Sequence, residues 1–544
     1  MANKHWLKSY GSAPAEIDPD RYPSATAMLE SAMRDYAASP AFHALGQTLT
    51  YADVDRQTRA FAAWLQNVAG VKKGDRVAVM LPNVLAFPIT FIALARLGAV
   101  QVNVNPLYTP RELEHQLNDA GVEVMVVFNG STPTLAEVMG KTPVKTVVTA
   151  SLGDCGGTVV PSPPVHEALA GATTLPDAIA QGEKLPYTPA DVQGSDLLFL
   201  QYTGGTTGPS KGAQLSHRNI VANILQFGAF VPDANRVGEE VIVTAIPLYH
   251  VYALTVNFLS YFANGGQNWL VPNPRDMDGF IDILKAARPT VFTGVNTLYA
   301  GLVANPRLAE VDWSRLRLSS GGGAAVIDVV SDRWQAITGS IIREGYGLSE
   351  TSPVVSTNPM SVDRFTGTTG LPLPSTDVKL LDDNDQEVGI GEAGEICVKG
   401  PQVMSGYWNQ PEANAKAFTP DGYFRTGDVG VFDEAGFLKI VDRKKDMIIV
   451  SGFNVYPNEV EATVTAFPGV AECACIGVPD AKTGEAVKLF VVKAAGADVT
   501  EEALTAFCRA EMAAYKVPRI IRFVDALPKS TVGKILRREL RNVA

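Results

Sequence analysis

The sequence has few cysteines and few histidines, and neither type is grouped. Five cysteines are scattered over 544 residues, and only Cys473 and Cys475 lie close together. With no second pair nearby, this spacing argues against a zinc site and against a disulfide framework. None of the six histidines lies four residues from another. A zinc site built on a helical histidine pair is therefore excluded as well.

An excess of positive charge is also missing. Lysine and arginine number 46 against 57 aspartates and glutamates, which gives a formal net charge of −11. This balance argues against nucleic acid as a partner, so local basic groups must hold any anionic ligand. Hydrophobic residues at 46% and charged residues at 19% are typical of a folded globular protein. A chain of this length is expected to form two or more domains.

No long uninterrupted apolar run is present. Region 84–104 contains Pro88 and Arg96, and it predicts a buried helix followed by a strand. The first ten residues lack the apolar core of a signal peptide, so we expect a soluble, cytoplasmic protein. The tail from 515 to 541 has eight basic residues against two acidic ones. It leaves open a peripheral contact with the inner face of the membrane; contact with the phosphates of a ligand and a solvated face are the alternatives.

Apolar runs alternate with helical patterns over most of the chain. For example, DRVAVML (75–81) precedes a helical pattern at about 86–99, which leads into VQVNV (100–104). Such alternation predicts parallel sheets flanked by helices. A stretch at about 151–190, rich in glycine, proline and threonine, is interpreted as a surface excursion. The sequence therefore predicts an α/β fold with a large first domain and a small C-terminal one.

A glycine-rich loop follows the apolar run at 197–200. Residues 202–213 read YTGGTTGPSKGA, in which glycines permit close approach of a ligand and free N–H groups bind anions. Lys211 adds a positive charge. The Walker template fails, because Lys211 is followed by Gly212 rather than by serine or threonine. The loop is predicted to bind phosphate in another manner; a flexible, solvated hairpin is the alternative.

Further motifs carry the residue types that a nucleotide site needs. EGYGLSET (344–351) offers the ring of Tyr346, the hydroxyl of Ser349 and the carboxylate of Glu350. A carboxylate close to phosphates suits Mg²⁺, which prefers oxygen ligands and keeps substrate phosphates in its shell. Taken alone, Tyr346 can equally be a core aromatic and Glu350 a helix cap.

Two motifs nearer the C-terminus add an acid and a base. RTGDVG (425–430) places Asp428 in a glycine-bounded turn, where a carboxylate can hold two ribose hydroxyls. LPKSTVGKILRREL (527–540) carries Lys534 directly after a glycine. Taken alone, Asp428 can equally be a structural turn residue, and Lys534 can equally be a solvated charge on a helix.

Together, in this order, the motifs resemble the adenylate-forming superfamily of acyl-CoA synthetases, luciferases and peptide-synthetase adenylation domains. The resemblance runs from about residue 20 to the end of the chain. Within the superfamily the motifs are most similar to those of bacterial long-chain fatty-acid–CoA ligases. The motifs concerned are VNVNPLYTPRELEHQLNDAG (102–121), QYTGGTTG (201–208), TGVNTL (293–298), DRKKDMIIVSGFNVYPNEVE (442–461) and PKSTVGKILRREL (528–540).

The resemblance implies a reaction and its participants. A medium- or long-chain fatty acid reacts with ATP in the presence of Mg²⁺, pyrophosphate is released, and the acyl-adenylate passes its acyl group to the thiol of coenzyme A. A homodimer is left open. The residues implied in binding the β- and γ-phosphates of ATP are Thr203, Gly204, Gly205, Thr206, Thr207, Gly208 and Lys211.

The other implied roles surround the nucleoside and the reacting atoms. Tyr346 stacks on adenine between Gly345 and Gly347, with Gly323 and Ala324 at the same pocket. The ribose is bound by Asp428, with Arg443 nearby, and Glu350 binds Mg²⁺. The implied catalytic residues are Lys534 at the α-phosphate, Ser349 at the hydroxyl position usually held by threonine, and His250 beside the acyl pocket.

The resemblance also implies the domain boundaries. An N-terminal domain of layered sheets (1–441) binds ATP and the acyl group. A hinge (442–445) with Lys445 at its pivot connects it to a small, mobile α+β domain (446–544) that carries the catalytic lysine.

The segment after His250 bears on the substrate class. Amino-acid-activating relatives place an aspartate there, but residues 246–263 contain no acidic side chain. The apolar segment 251–262 suits an alkyl chain, although core packing explains it nearly as well. Leu254 stands where one group of relatives has a tryptophan gate, so its part in gating is open. A coumarate-type ligase is the main alternative.

Two further alternatives belong to other classes of protein. A catalytically inactive acyl-binding homologue is disfavoured, because Lys534, Glu350, Asp428 and Arg443 are all present. An oxidising, luciferase-like enzyme is neither supported nor excluded by the sequence.

Overall fold

The computed structural model of the chain describes residues 4–203, 210–451, 453–480, 482–530 and 533–542. Most of these residues lie in regular elements. The strands are β1 (Pro40–Ala44), β2 (Gln47–Thr50), β3 (Arg76–Met80), β4 (Val100–Asn103), β5 (Val124–Phe128), β6 (Thr146–Ala150), β7 (Thr173–Thr174), β8 (Leu197–Thr203), β9 (Lys211–Ser216), β10 (Val241–Thr244), β11 (Gln267–Leu270), β12 (Val291–Gly294), β13 (Leu318–Gly321), β14 (Ile342–Gly347), β15 (Val354–Thr357), β16 (Leu371–Pro372), β17 (Asp377–Leu381), β18 (Gly394–Lys399), β19 (Phe424–Phe432), β20 (Leu438–Arg443), β21 (Ile448–Val450), β22 (Phe453–Val455), β23 (Val470–Asp480), β24 (Gly484–Lys493) and β25 (Ile520–Phe523).

The helices connect and cover these strands. They are α1 (Ala25–Asp35), α2 (Tyr51–Asn67), α3 (Ala86–Leu97), α4 (Pro110–Ala120), α5 (Thr132–Val138), α6 (Leu175–Gly182), α7 (His217–Phe230), α8 (Ser260–Ala263), α9 (Met277–Ala287), α10 (Asn296–Ala304), α11 (Asp328–Thr338), α12 (Pro411–Ala417), α13 (Pro457–Thr465), α14 (Glu501–Glu511) and α15 (Arg537–Leu540). None of the helices in the described part of the chain is long and apolar enough to cross a membrane.

A seven-stranded sheet carries the flanks of the glycine loop. Its strand order is β7-β6-β5-β3-β4-β8-β9, and every neighbouring pair is parallel except the hairpin β8–β9. The predicted parallel pattern around β3 and β4 is thus confirmed. The predicted helix at about 86–99 is α3, which ends where Gly98 adopts a left-handed conformation with φ of 63°.

The stretch interpreted as a surface excursion contributes to this sheet and its cover. Strand β7 extends the sheet edge beside β6, and α6 packs on α2. The contact is close, because a Cβ on Gly182 would lie 1.9 Å from the carbonyl oxygen of Ala60. The indole of Trp64 also donates to Gln181 at 3.1 Å.

A nine-stranded sheet lies against the first, with the order β16-β15-β14-β13-β12-β10-β11-β1-β2. Its central strands are parallel, and antiparallel pairs close both edges. The main apolar core combines side chains of α2, α3 and α7 with the buried segment Tyr252–Leu259. That segment is a π-helix, a form often found at functional positions.

A four-stranded antiparallel sheet, β17-β18-β19-β20, follows in the chain. Its β19–β20 pair aligns Asp428 with Arg443 as direct cross-strand partners. The N-terminal residue Trp6 stacks on Phe432 of β19 with 5.4 Å between ring centroids. This sheet therefore fixes two of the predicted nucleotide-binding side chains next to each other.

The C-terminal part has its own sheet, with β24 bonded to β21, β23 and β25. Helices α13 and α14 contribute to an apolar cluster on one face, and residues 527 and 540 contribute to a second cluster on the other. The predicted α/β class, with a large N-terminal region of layered sheets and a smaller α+β C-terminal region, is confirmed.

Candidate active site

Tyr346 near the end of β14 and Arg443 at the end of β20 meet Asp428, which lies in the middle of β19 rather than in the predicted turn. The Tyr346 hydroxyl donates to Asp428 Oδ2 at 2.7 Å, and Arg443 Nε lies 3.4 Å from Asp428 Oδ1. Asp428 is only 6% exposed. Burial, together with the negative charge of Asp428, raises the pKa of Tyr346 well above its ordinary value. The phenol is therefore a permanent donor, and it orients the carboxylate that is predicted to bind the ribose.

Lys534 approaches this group from the C-terminal region. Its backbone N–H donates to Ser530 Oγ at 3.1 Å, and its carbonyl accepts the Ser530 N–H at 2.7 Å. The preceding Gly533 has φ of 76°, and a Cβ there would lie 2.2 Å from Thr297 Oγ1. Only glycine permits both this conformation and this close approach to the N-terminal region.

The environment of Lys534 disfavours its charged form. Burial is the main cause and the charge of Arg443 the next, while Asp428 opposes them; together they lower the pKa of Lys534 to about 8. The ammonium group thus lies within electrostatic reach of both residues. A cation held in this way gains strongly when negative charge builds up beside it.

His250 is close enough to Lys534 for the two groups to interact. Burial, reinforced by the positive charge of Lys534, lowers the pKa of His250 to about 4, so its imidazole is neutral at pH 7. Its Nδ1 accepts the backbone N–H of Tyr252 at 3.3 Å. The remaining ring proton therefore lies on Nε2, which makes that nitrogen a donor.

The loop after β13 holds the predicted adenine-pocket residues Gly323 and Ala324, and both are exposed. The loop is fixed by Glu344, whose carboxylate accepts the Val326 N–H at 2.8 Å. Burial raises the pKa of Glu344 to about 7. The ring of Tyr252 contacts the same loop beside Gly322.

The structure describes both flanks of the glycine loop. Thr203 and Lys211 are cross-strand partners at the loop end of the β8–β9 hairpin. The backbone carbonyl of Ser210 is within 3.0 Å of His115 Nε2. The predicted phosphate contacts of the intervening residues lie outside the described residues and stay a prediction; these residues are Gly204, Gly205, Thr206, Thr207 and Gly208.

Glu350 lies in a buried turn next to this hairpin. Its Oε1 accepts the hydroxyl hydrogen of Tyr407 at 2.7 Å, and Lys211 Nζ lies 5.4 Å from the centroid of the Tyr407 ring. Burial raises the pKa of Glu350, and the hydrogen bond from Tyr407 opposes this shift. Sequence reasoning missed Tyr407, because no local pattern marks a side chain whose two partners lie far away in the chain.

Three other predicted residues line the same turn. Gly345 pairs with Thr357, and Ser349 is half-buried at the start of a short 3₁₀ turn. Gly347 is required by packing, since a Cβ would lie 2.1 Å from the carbonyl oxygen of Pro353. These residues lie beside Tyr346 and Glu350.

The predicted hinge spans the end of one sheet and the approach to the next. Asp442 and Arg443 belong to β20, and the Lys444 N–H donates to the Gly427 carbonyl at 2.9 Å. Lys445 lies between β20 and β21, and burial together with the charge of Arg443 lowers its pKa. Of the predicted hinge residues, Lys445 is thus the one free of the β19–β20 pairing.

Arg537 connects this hinge to the turn that carries Lys534. Its guanidinium binds both carboxylate oxygens of Glu461, at 3.2 and 2.8 Å, and Asn458 at 2.6 Å. It also lies 3.8 Å from the buried Asp442, whose Oδ2 accepts the Asn458 N–H at 2.7 Å. The position of Lys534 is therefore tied to the end of β20.

The site suits magnesium held jointly with a substrate. Among the residues that the structure describes, no group of three or more acidic, histidine or cysteine side chains is arranged to hold a metal ion. The single carboxylate of Glu350 fits Mg²⁺, which is commonly bound through one or two carboxylates together with substrate phosphates.

Comparison with known proteins agrees with this geometry. Residues 29–408 match the AMP-binding enzyme family, and residues 459–534 match the AMP-binding enzyme C-terminal domain. The chain is 50% identical to the long-chain-fatty-acid–CoA ligase of Escherichia coli O6:H1 and 50% identical to that of Salmonella typhimurium, in each case over 99% of this chain and 98% of the relative.

Its fold matches a solved relative as well. ATP-bound MatB from Rhodopseudomonas palustris superposes with a TM-score of 0.84 at 32% identity, over 96% of this chain and 99% of that one. Both regions of the chain are included in a match of this extent. The chain belongs to the adenylate-forming family of AMP-binding enzymes.

Proposed function

We propose that this protein is an AMP-forming long-chain fatty-acid–CoA ligase. It converts a medium- or long-chain fatty acid to an acyl-adenylate and then to acyl-CoA. Half of its residues are identical to those of ligases named for this activity, over almost the full length of both chains. The observation that carries the proposal is the convergence of Lys534 from the C-terminal domain on Asp428 and His250 of the N-terminal domain and on Arg443 of the hinge.

In the first step a carboxylate oxygen of the fatty acid attacks the α-phosphorus of ATP. A new O–P bond forms, the bond from the α-phosphorus to the bridging oxygen breaks, and pyrophosphate leaves with that electron pair. Negative charge gathers on the α-phosphate oxygens in the transition state. The ammonium of Lys534 is already in place to stabilise it and needs no reorganisation.

Other side chains orient the reactants. Asp428 is held by Tyr346 and Arg443, and it accepts the ribose hydroxyls. Thr203 and Lys211 bring hydroxyl and positive charge to the β- and γ-phosphates, and Ser349 adds a hydroxyl beside them. The imidazole of His250 is neutral at pH 7 and donates from Nε2 toward the substrate carboxylate. The ring therefore neither gains nor loses a proton when the substrate binds.

Glu350 is the residue that would hold Mg²⁺. When bound, the ion neutralises charge on the ATP phosphates. The carboxylate is buried, and one of its oxygens is already occupied by the Tyr407 hydroxyl. The carboxylate would supply the ion with a hard anionic oxygen ligand.

In the second step the thiol of coenzyme A attacks the acyl carbon. The C–S bond forms, the thiol proton passes to water, the acyl–phosphate C–O bond breaks, and AMP leaves with that electron pair. Lys534 has no charge to stabilise on an attacking thiol. We infer that the C-terminal domain turns about Lys445 between the two steps, so that another of its faces meets coenzyme A.

The acyl group is assigned to the side of His250 that faces the π-helix. Residues Ala253–Leu259 of that helix are buried, and most are apolar. Such surroundings favour an alkyl chain over a charged or polar acid. A coumarate-type aromatic acid remains the second candidate, since the ring of Tyr252 also lines the loop at Gly322.

A pyrophosphate-release screen tests the proposal. The purified chain would be assayed with ATP and Mg²⁺ on acetate, octanoate, palmitate, oleate, benzoate and coumarate, with and without CoA. We expect the highest kcat/KM among octanoate, palmitate and oleate, and acyl-CoA as product only when CoA is present. A tenfold preference for coumarate over palmitate and octanoate would establish the aromatic alternative instead.

A further inference from the structure

Resting on this proposed function, we propose that Tyr407 is a positioning residue that links the glycine loop to the magnesium-binding carboxylate. It contacts both partners directly. Its hydroxyl donates to Glu350 Oε1 at 2.7 Å, and its ring faces Lys211 Nζ at 5.4 Å. One side chain therefore contacts the residue that would bind the metal ion and the cation assigned to the phosphates.

The backbone around Tyr407 makes this placement precise. The Tyr407 N–H donates to Asn414 Oδ1 at 2.7 Å, and the Asn414 amide donates back to the Tyr407 carbonyl at 2.9 Å. The two residues thus form a closed pair of hydrogen bonds. This pair fixes the backbone from which the Tyr407 ring projects.

The segment also extends the hairpin that ends in the glycine loop. Tyr407 forms an antiparallel bridge with Ala213 of β9. On either side, the Trp408 N–H donates to the Gly212 carbonyl at 2.8 Å, and the Gln214 N–H donates to the Gly406 carbonyl at 2.9 Å. A shift of the β9 end is therefore transmitted to Tyr407 through paired backbone.

The consequence lies in the orientation of the carboxylate. The hydrogen bond from Tyr407 to Oε1 restricts the direction of the Glu350 carboxylate, which would bind Mg²⁺. The Tyr407 hydroxyl is the donor of this bond, since an ionised carboxylate oxygen can only accept. Without it, Glu350 keeps its charge but loses the hydrogen bond that sets its direction.

Titration calorimetry of ATP binding at graded Mg²⁺ concentrations tests this role without turnover. Tyr407→Phe keeps the ring, so its contact with Lys211 persists while the hydrogen bond is lost. We expect about tenfold more Mg²⁺ to be needed for half-maximal tight ATP binding, because bonds to charged groups are among the stronger ones. ATP affinity in EDTA should equal that of wild type.

Tyr202→Phe is the matched control. It removes a tyrosine hydroxyl from the β8–β9 hairpin, with which Tyr407 pairs. This hydroxyl donates to Asp119 at 2.5 Å, so its loss leaves the hydrogen bond to Glu350 in place. We expect its Mg²⁺ dependence to be that of wild type. Tyr407→Leu removes the ring as well, so it should also weaken ATP binding in EDTA severalfold.

Two results would overturn the inference, and they differ from each other. Equal Mg²⁺ dependence in wild type and Tyr407→Phe, with or without a lowered Tm, would reduce Tyr407 to a structural residue. If ATP binding to the wild-type protein did not depend on Mg²⁺, that result would instead contradict the proposed function on which the inference rests.

Discussion

The ammonium group of Lys534 lies where burial and neighbouring cations disfavour its charge. Its pKa of about 8 predicts how adenylation depends on pH. The proposed catalytic form is the protonated one, so it predominates well below pH 8, falls to half at about pH 8 and is lost as the pH rises further. We expect kcat/KM for pyrophosphate release from fatty acid and ATP to fall on the alkaline side with this midpoint.

The matched variant is Lys534→Arg, since arginine stays charged up to about pH 12. Its activity is expected to be lower at neutral pH, because the guanidinium does not reach the same position. Its alkaline decline should nevertheless disappear below about pH 10. An alkaline decline at the same midpoint in both proteins would assign the titration to another group.

Glu350 supplies the second residue-level prediction. Glu350→Gln keeps the size of the side chain and an oxygen acceptor for Tyr407, but it removes the negative charge that Mg²⁺ prefers. We expect a higher Mg²⁺ requirement and slower adenylation at an unchanged Tm, measured by pyrophosphate release over a Mg²⁺ series. If Mg²⁺ dependence stayed the same, Glu350 would be a structural residue of its turn.

Sequence motifs predicted individual residues of the site better than the links between them. Asp428, Tyr346, Lys534 and Glu350 each lie in a local pattern of glycines and polar residues. Tyr407 does not: its hydroxyl meets a carboxylate 57 residues away, and only sheet pairing brings the two together. The neutral state of His250 likewise depends on burial and on Lys534, which no local pattern contains.

Among the elements, the segment between β20 and β21 is the one expected to change conformation. Hinges absorb large changes in φ and ψ, whereas proline fixes φ. Lys445→Pro should therefore leave acyl-adenylate formation nearly intact and slow thioester formation. Single-turnover assays of the two steps measure this directly.

Lys445→Ala serves as its control, because it removes the ammonium but keeps the backbone free. We expect this variant to retain thioester formation. Equal loss of both steps in Lys445→Pro would indicate misfolding, and full activity in both would place the pivot elsewhere.

The buried π-helix supplies a prediction about chain length. Each methylene buried against its apolar face should contribute up to about 0.8 kcal/mol, or roughly a fourfold change in KM. A series of saturated acids should thus show KM falling with length until the acyl site is filled, followed by a plateau. KM that is independent of length from the shortest acid onward would contradict an acyl site along this helix.

Elements with simple periodicity were predictable, and those set by tertiary contacts were not. The alternation at β3, α3 and β4 follows directly from apolar spacing and from Gly98 as a stop signal. Most residues of the π-helix Tyr252–Leu259 are apolar, with no clear helical or strand period, so periodicity cannot distinguish it from an α-helix or a buried strand. Helix α6 was not predicted, because it lies in a stretch rich in turn-forming residues. Its packing against α2 stabilises it, and the local sequence does not show that contact.

The arrangement of the whole molecule could not be read from local pattern at all. The contact between Gly533 and Thr297 joins residues far apart in sequence, and it brings Lys534 to the nucleotide site. Arg537 then ties the same segment to Glu461 and to the end of β20. This arrangement is the one that the proposed first half-reaction requires, with Lys534, the residue proposed as catalytic, beside Asp428.

The central claim is that Lys534 serves only that first half-reaction. The Lys534→Ala variant tests it when the two half-reactions are assayed separately. Loss of a preorganised charge typically costs about 3–4 kcal/mol, so adenylation from free palmitate and ATP should fall by roughly 10²–10³. Supplied with synthetic palmitoyl-adenylate and CoA, the variant should form palmitoyl-CoA at close to the wild-type rate. Equal loss in both assays would contradict the domain movement, and wild-type rates in both would show that Lys534 is a surface charge without a catalytic role.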